Sequence, residues 1–246
     1  GFIPWDDDTD ICMLREDYQR FLKVAPLELT GEYHINSPYS EESYNYVFSR
    51  ILNATSISYD YSRLSQFHRC PYIIGVDIFP LDTVTTNPDE ESILYQLIHI
   101  LISAVNQYDD KPEEVISMIP DLEKLCNIKL DTSRCIKNQL LRIADSLCQI
   151  YNGSNSSFIS YIPEDSQKDI RLQREWFNTY DYLPFENILI PVPKQYDDIL
   201  TALYGDYMTP VQNCAGHDYP FYKKQTNAMA KHITQTIMDG KKPFIF

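Results

Sequence analysis

Residues 72–82 read Tyr72-Ile73-Ile74-Gly75-Val76-Asp77-Ile78-Phe79-Pro80-Leu81-Asp82. The nearly continuous β-branched and aromatic run from Tyr72 to Phe79 predicts a strand with little exposure on either face, and Pro80 is expected to end it. Asp77 is out of character in such a run. A carboxylate there needs a salt-bridge partner, backbone N–H donors or a metal ion, because burying it unpaired is costly.

Working outward, the other concentration of carboxylates is at the start of the chain, Gly1-Phe2-Ile3-Pro4-Trp5-Asp6-Asp7-Asp8-Thr9-Asp10 followed by the apolar Ile11-Cys12-Met13. A short strand is expected here, and on a strand Asp6, Asp8 and Asp10 share one face. Alternate residues sit roughly 6.6 Å apart along a strand, near enough for carboxylates to converge on a divalent cation. A solvated acidic turn, or a helix first turn, is the other reading. A calcium loop fails, because its required Gly is Ile11 and its closing Glu is Asp17. One strand carrying Asp-x-Asp-x-Asp and another carrying Asp77 supply the parts of a metal site for phosphoryl transfer, with a carboxylate to spare for the attacking hydroxyl's proton.

Around these segments, Arg15 to Ala25 has helical periodicity that Pro26 should stop, and Tyr46-Val47-Phe48 and Ser56-Ile57-Ser58-Tyr59 read as short strands. From Pro88 the pattern turns helical: Leu94, Leu97, Ile98, Leu101 and Val105 form one stripe, and Ile136, Leu140, Ile143, Leu147 and Ile150 another that stops at Asn152-Gly153. Strand character returns at Phe158–Tyr161, followed by the proline-bounded Leu183–Val192, a short helix at Tyr196–Tyr204 and a last helix near Lys224–Met238. The expectation is a single α+β domain over residues 1–246, a mixed sheet with flanking helices and a helical insertion at about 88–153.

Composition narrows the function. The chain has 246 residues, 43% of them apolar, and a formal net charge of -14, with a pI near 4.7. Such a surface excludes broad tracking along nucleic acid, which depends on Lys and Arg neutralising phosphates. No apolar run reaches the length of a membrane span; the longest candidate, Ile93 to Val105, contains His99. With no signal peptide ahead of the first motif and six irregularly spaced cysteines, the expected location is cytoplasmic with reduced thiols. His68-x-Cys70 and Cys214-x-x-His217 lack standard zinc spacing.

The motifs Gly1-Phe2-Ile3-Pro4-Trp5-Asp6-Asp7-Asp8-Thr9-Asp10-Ile11, Arg15-Glu16-Asp17-Tyr18, Val76-Asp77-Ile78-Phe79-Pro80-Leu81-Asp82, Leu183-Pro184-Phe185-Glu186-Asn187 and Tyr204-Gly205-Asp206-Tyr207-Met208 with Pro210 together resemble the LicD family. They occur in the family's order from residue 1 to about 210. The resemblance implies a nucleotidyltransferase-like fold and a cytoplasmic transferase that moves phosphocholine from CDP-choline to a cell-surface glycan; the related fukutin group moves ribitol phosphate from CDP-ribitol. It further implies Mg²⁺ or Mn²⁺ held by Asp8 and Asp10, with Asp6 accessory and Asp77 the third carboxylate, so that Asp8, Asp10 and Asp77 are the catalytic set. Asp206 is a candidate for orienting the acceptor sugar, though Gly205 reads more simply as a helix C-cap. Trp176, Tyr180, Tyr182 and Tyr207 are candidates for a cage around a quaternary ammonium, against core packing as the plainer use of each ring.

Family members carry a helix and a Gly-Gly-Thr-Leu-Leu-Gly segment upstream of the first motif, and this sequence starts after it. The expectation is an N-terminal truncation that weakens donor binding, since such a turn holds nucleotide phosphates through backbone N–H groups. Two rival readings accompany the transferase: a true nucleotidyltransferase releasing pyrophosphate, and an inactive binding module.

Overall fold

The computed structural model describes residues 3–4, 8–31, 33–210 and 223–242. Strand β1 (Asp10–Leu14) runs directly into helix α1 (Arg15–Glu28). Two short strands follow, β2 (His34–Asn36) and β3 (Ser49–Leu52), then the one-and-a-half-turn helix α2 (Tyr61–Gln66) and the long strand β4 (Gly75–Thr83). Three helices come next, α3 (Pro88–Gln107), α4 (Pro112–Cys126) and α5 (Ile136–Cys148). The chain then returns to the sheet through β5 (Phe158–Ser160), the single turn α6 (Ile162–Asp165) and β6 (Leu172–Gln173). A 3₁₀ turn at Arg174–Phe177, the hairpin β7 (Tyr180–Phe185) and β8 (Ile188–Pro193), and helices α7 (Tyr196–Tyr204) and α8 (Lys223–Met238) complete the described elements.

This is the expected α+β arrangement. The main sheet is mixed and six-stranded, in the order β2-β3-β4-β5-β6, with β1 alongside β4. β4 is its centre: it pairs antiparallel with β3 over Gly75–Ile78, parallel with β1 over Asp77–Leu81, and antiparallel with β5 over Asp82–Thr83. At Gly75 the approach to β3 is close. A Cβ there would stand 2.8 Å from the Ile51 carbonyl oxygen and 2.9 Å from Arg50 Cγ, so the position requires glycine.

The core joins sheet to helices. Leu81, Ile159 and Leu172 pack with Leu101, Val105, Val115, Leu122, Leu140 and Leu141 in one buried cluster, and Val84, Leu94, Ile98, Cys148 and Ile162 form a second. Both predicted stripes therefore face inward, except that Ile150 lies beyond the end of α5 and is exposed. α3 starts sharply because the Asn87 side chain accepts from the Asp89 N–H at 3.1 Å and Pro88 gives up no useful N–H.

A buried ion network fastens the helices to the sheet. Arg15, at the β1–α1 junction, donates through Nε to Asp82 Oδ1 at 2.8 Å, through Nη2 to Asp82 Oδ2 at 2.5 Å and through Nη1 to Asp145 Oδ1 on α5 at 2.9 Å. Asp82 also accepts from Asn152, and Asp145 from Gln149 and the Tyr39 hydroxyl. The two carboxylates keep the Arg15 guanidinium charged against the cost of burial, and Arg15 is held above its ordinary pKa.

Several local expectations are corrected. Pro26 lies inside the last turn of α1 rather than ending it before Pro26. Tyr46-Val47-Phe48 and Ser56–Tyr59 are not strands; the neighbouring strand is Ser49–Leu52, and Val47 and Phe48 are instead buried in the core, since an apolar run specifies burial more firmly than backbone state. β4 continues through Pro80 to Thr83, because β3 pairs with it only as far as Ile78 and the missing N–H disrupts no ladder on that flank.

Candidate active site

The parallel pairing of β1 with β4 sets Asp10 directly opposite Asp77, and the antiparallel pairing of β3 sets Arg50 opposite Asp77 from the other side. Residues in register across adjacent strands project from the same face of a sheet. Asp10, Asp77 and Arg50 thus form one row across three strands. The acidic motif and the solitary strand aspartate, 67 positions apart in the chain, meet because the pairing of β1 with β4 begins at these two residues.

Their environments differ. The Asp77 side chain is 15% exposed and Arg50 35%. Arg50 Nη2 donates to Asp77 Oδ2 at 2.5 Å and Nε to Oδ1, a bidentate pair that raises the Arg50 pKa. The guanidinium also stacks 5.6 Å from the Tyr46 ring centroid and 5.8 Å from that of Phe48. Tyr44 packs edge-on to both rings, and its buried hydroxyl has no hydrogen-bond partner among the described residues. Burial pushes that hydroxyl's pKa up, with the Arg50 charge opposing and the Asp77 charge adding. Glu164 on α6 feels the same centre: burial raises its carboxyl, against Lys168, and the charges of Asp165 and Asp77 add to the rise.

The remaining sequence candidates fall as follows. Asp8 lies on a bend ahead of β1, so the strand starts at Asp10 rather than carrying the whole acidic run; β1 has no pairing with β4 before Asp10. Asp6 lies outside the described residues, as do Cys214 and His217. Among the described residues, no three His, Cys, Asp or Glu side chains converge closely enough to hold a metal ion. What is gathered is the Asp10–Asp77 pair, a set of hard oxygen donors suited to Mg²⁺ or Mn²⁺, and Asp77 is already engaged by a cation, the guanidinium.

Trp176 sits in the 3₁₀ turn, partly buried against the main core. Tyr180 and Tyr182 are on β7, 50% and 70% exposed. Tyr207 donates from its hydroxyl to Asp197 Oδ1 at 2.6 Å, which pushes its pKa up to about 12. Asp206 accepts from the Thr209 hydroxyl at 2.7 Å, and Gly205 is the C-cap of α7 with φ +69°. Leu183–Asn187, the fourth motif, forms the second half of strand β7 and the tight turn of the hairpin, with Glu186 at φ +51°.

Sequence reasoning missed Arg50 and Tyr44. A salt-bridge partner for Asp77 was anticipated, but the sequence offered 21 Lys and Arg without saying which. The adjoining Tyr44-x-Tyr46-x-Phe48-x-Arg50 alternation was the available signal, since period two sets these four on one side of an extended segment.

Comparison with known proteins agrees with the motif reading. Residues 1–95 match the family described as LicD/FKTN/FKRP, nucleotidyltransferase domain. The chain is 29% identical over 224 residues to the lipopolysaccharide cholinephosphotransferase LicD of Haemophilus influenzae, an alignment covering 85% of this chain and 76% of that protein. No solved structure matches the chain significantly. Among the described residues no helix is long and apolar enough to cross a membrane. Both carboxylate strands and Arg50 fall within residues 1–95, the stretch that matches the LicD/FKTN/FKRP nucleotidyltransferase domain.

Proposed function

We propose that this protein is a LicD-type phosphotransferase that moves a phospho-alcohol group, phosphocholine or a polyol phosphate, from a CDP-activated donor to a glycan hydroxyl and releases CMP. The observation that carries the reading is the register of Asp10 against Asp77 within the family-matched residues. The similarity to a lipopolysaccharide cholinephosphotransferase supports phosphocholine as the group and a surface glycan as the acceptor. Residues 88–153 are read as an insertion within one domain.

The acceptor hydroxyl oxygen attacks the phosphorus bearing the alcohol, the bond from that phosphorus to the CMP oxygen breaks, and CMP leaves with the electron pair. The hydroxyl proton passes to a carboxylate of the pair, Asp77 or Asp10. Asp8, Asp10 and Asp77, with Asp6 as accessory, would hold Mg²⁺ or Mn²⁺. Such an ion supplies charge neutralisation for the diphosphate, which a protein of net charge -14 otherwise repels. Trp176, Asp206 and Tyr207 are the proposed contacts to the substrates.

Mass spectrometry of products after incubation with CDP-choline or CDP-ribitol, Mn²⁺ and candidate glycans tests the reading. CMP and a phospho-alcohol-bearing glycan are expected. Release of pyrophosphate from CTP instead would make the protein a nucleotidyltransferase, and no turnover of any donor would leave a binding role.

A further inference from the structure

Arg50 occupies a curious position if the carboxylates serve a metal, because its guanidinium takes both oxygens of Asp77. Three observations bear on what it does there. The side chain is a third exposed, so it borders solvent where a ligand can reach it. The rings of Tyr46 and Phe48 support the guanidinium independently of the carboxylate, so it keeps an anchor when the ion pair opens. Beside it the Tyr44 hydroxyl, in a residue 9% exposed, has no hydrogen-bond partner among the described residues. A buried hydroxyl without a partner is costly, and one lying in the field of the Arg50–Asp77 pair is a donor placed for something that binds there.

Resting on the phosphotransferase reading, we propose that Arg50 and a divalent cation compete for Asp77. Arrival of the cation releases the guanidinium, which then binds the phosphate oxygens of the donor together with the Tyr44 hydroxyl. The ligand class is a nucleoside diphosphate. The exchange conserves charge complementarity: Asp77 always faces a cation, and Arg50 is free to face an anion only when the metal needed for the reaction is in place. Gly75 serves the same arrangement, since a Cβ there would stand 2.9 Å from Arg50 Cγ and obstruct its stem.

A mere strand-fastening role for Arg50 predicts that its loss loosens the site and weakens every ligand. Competition predicts opposite signs for the two ligands. Mn²⁺ binding, followed by the electron paramagnetic resonance of the free ion, should tighten about tenfold or more in Arg50→Gln, because a competing unit charge is removed from Asp77. CDP binding at saturating Mn²⁺, followed by calorimetry, should weaken about tenfold or more in the same variant. Tyr44→Phe should leave Mn²⁺ binding unchanged and weaken CDP by roughly fivefold, the loss of one hydrogen bond.

Arg50→Gln binding Mn²⁺ no tighter than wild type, or CDP no more weakly, overturns the proposal. Should that variant not fold, the wild-type protein decides: the Arg50 Nε–H resonance should shift or broaden on adding Mg²⁺, and an unmoved resonance at saturation overturns the exchange. Asp10→Asn separates the two levels of inference. Loss of Mn²⁺ binding in Asp10→Asn, with no gain in Arg50→Gln, sinks the exchange and leaves the site reading standing; wild-type Mn²⁺ affinity in Asp10→Asn sinks both.

Discussion

Replacing Arg15 by methionine keeps an unbranched stem and deletes the guanidinium that Asp82 and Asp145 share. Both carboxylates are essentially inaccessible, Asp82 1% and Asp145 2% exposed. Asn152 still donates to the first, and Gln149 and Tyr39 to the second, but none of these carries charge. Removing one partner of a buried pair costs about 3–5 kcal/mol. With two carboxylates dependent on one cation, the upper half of that range, about 4–5 kcal/mol, is expected at pH 7. For a chain of this length each kcal/mol moves Tm by roughly 2–4 °C, so the melting temperature should fall by roughly 8–20 °C. The deficit should also depend on pH. Burial already raises the Asp82 carboxyl, with Arg15 opposing, and in the variant that opposition is gone, so its folded-state pKa rises further above the unfolded value of about 3.9. A raised folded pKa gives stability that is fully present below the unfolded pKa and is lost as pH rises through the folded one, so the variant should be least impaired near pH 4 and most impaired at neutrality. Urea unfolding followed by far-ultraviolet circular dichroism at both pH values measures this, and adding Asp82→Asn to Arg15→Met should restore part of the loss at pH 7. A deficit under about 1 kcal/mol, or one that does not change with pH, would refute the role given to the network.

Three further outcomes are expected. Asp77→Asn preserves volume and removes charge, so CMP release should fall by about a hundredfold or more while the circular dichroism spectrum stays that of the wild type; an unfolded variant would make Asp77 structural. Gly75→Ala places a methyl 2.8 Å from the Ile51 carbonyl oxygen, and should cost about 1–3 kcal/mol by calorimetric melting, whereas an unchanged melting curve would disprove the close approach of β3. The Glu16 carboxyl is held below its ordinary pKa of 4.5, first by a hydrogen bond from backbone N–H at the start of α1 and then by Arg174. Its stabilisation, under about 1 kcal/mol for an exposed pair, is therefore present above pH 4.5 and lost on acidification through the lowered pKa, so Glu16→Gln should be slightly less stable than wild type at pH 7 and equal to it at pH 3.

Much of this protein is legible in its sequence because the relevant physics is local. The helical stripes of α3 and α5, the α7 C-cap at Gly205 and the strand around Asp77 follow from periodicity, from the φ +69° that glycine tolerates, and from β-branched side chains crowding a helix. So does the resemblance to the LicD family, whose motifs are contiguous runs. Pairing is not local. That Asp10 faces Asp77, that Arg50 faces it from the opposite strand, and that Arg15 lies between Asp82 and Asp145 are consequences of which strand lies beside which and in what register, and a slip of one residue would turn each of these side chains to the other face. The sequence shows that Asp77 needs a partner, because it lies in an apolar strand and the cost of burying charge is a property of the residue. Which cation meets which carboxylate is decided only when the sheet closes, since an Arg 27 or 67 positions away is as distant in the chain as any other.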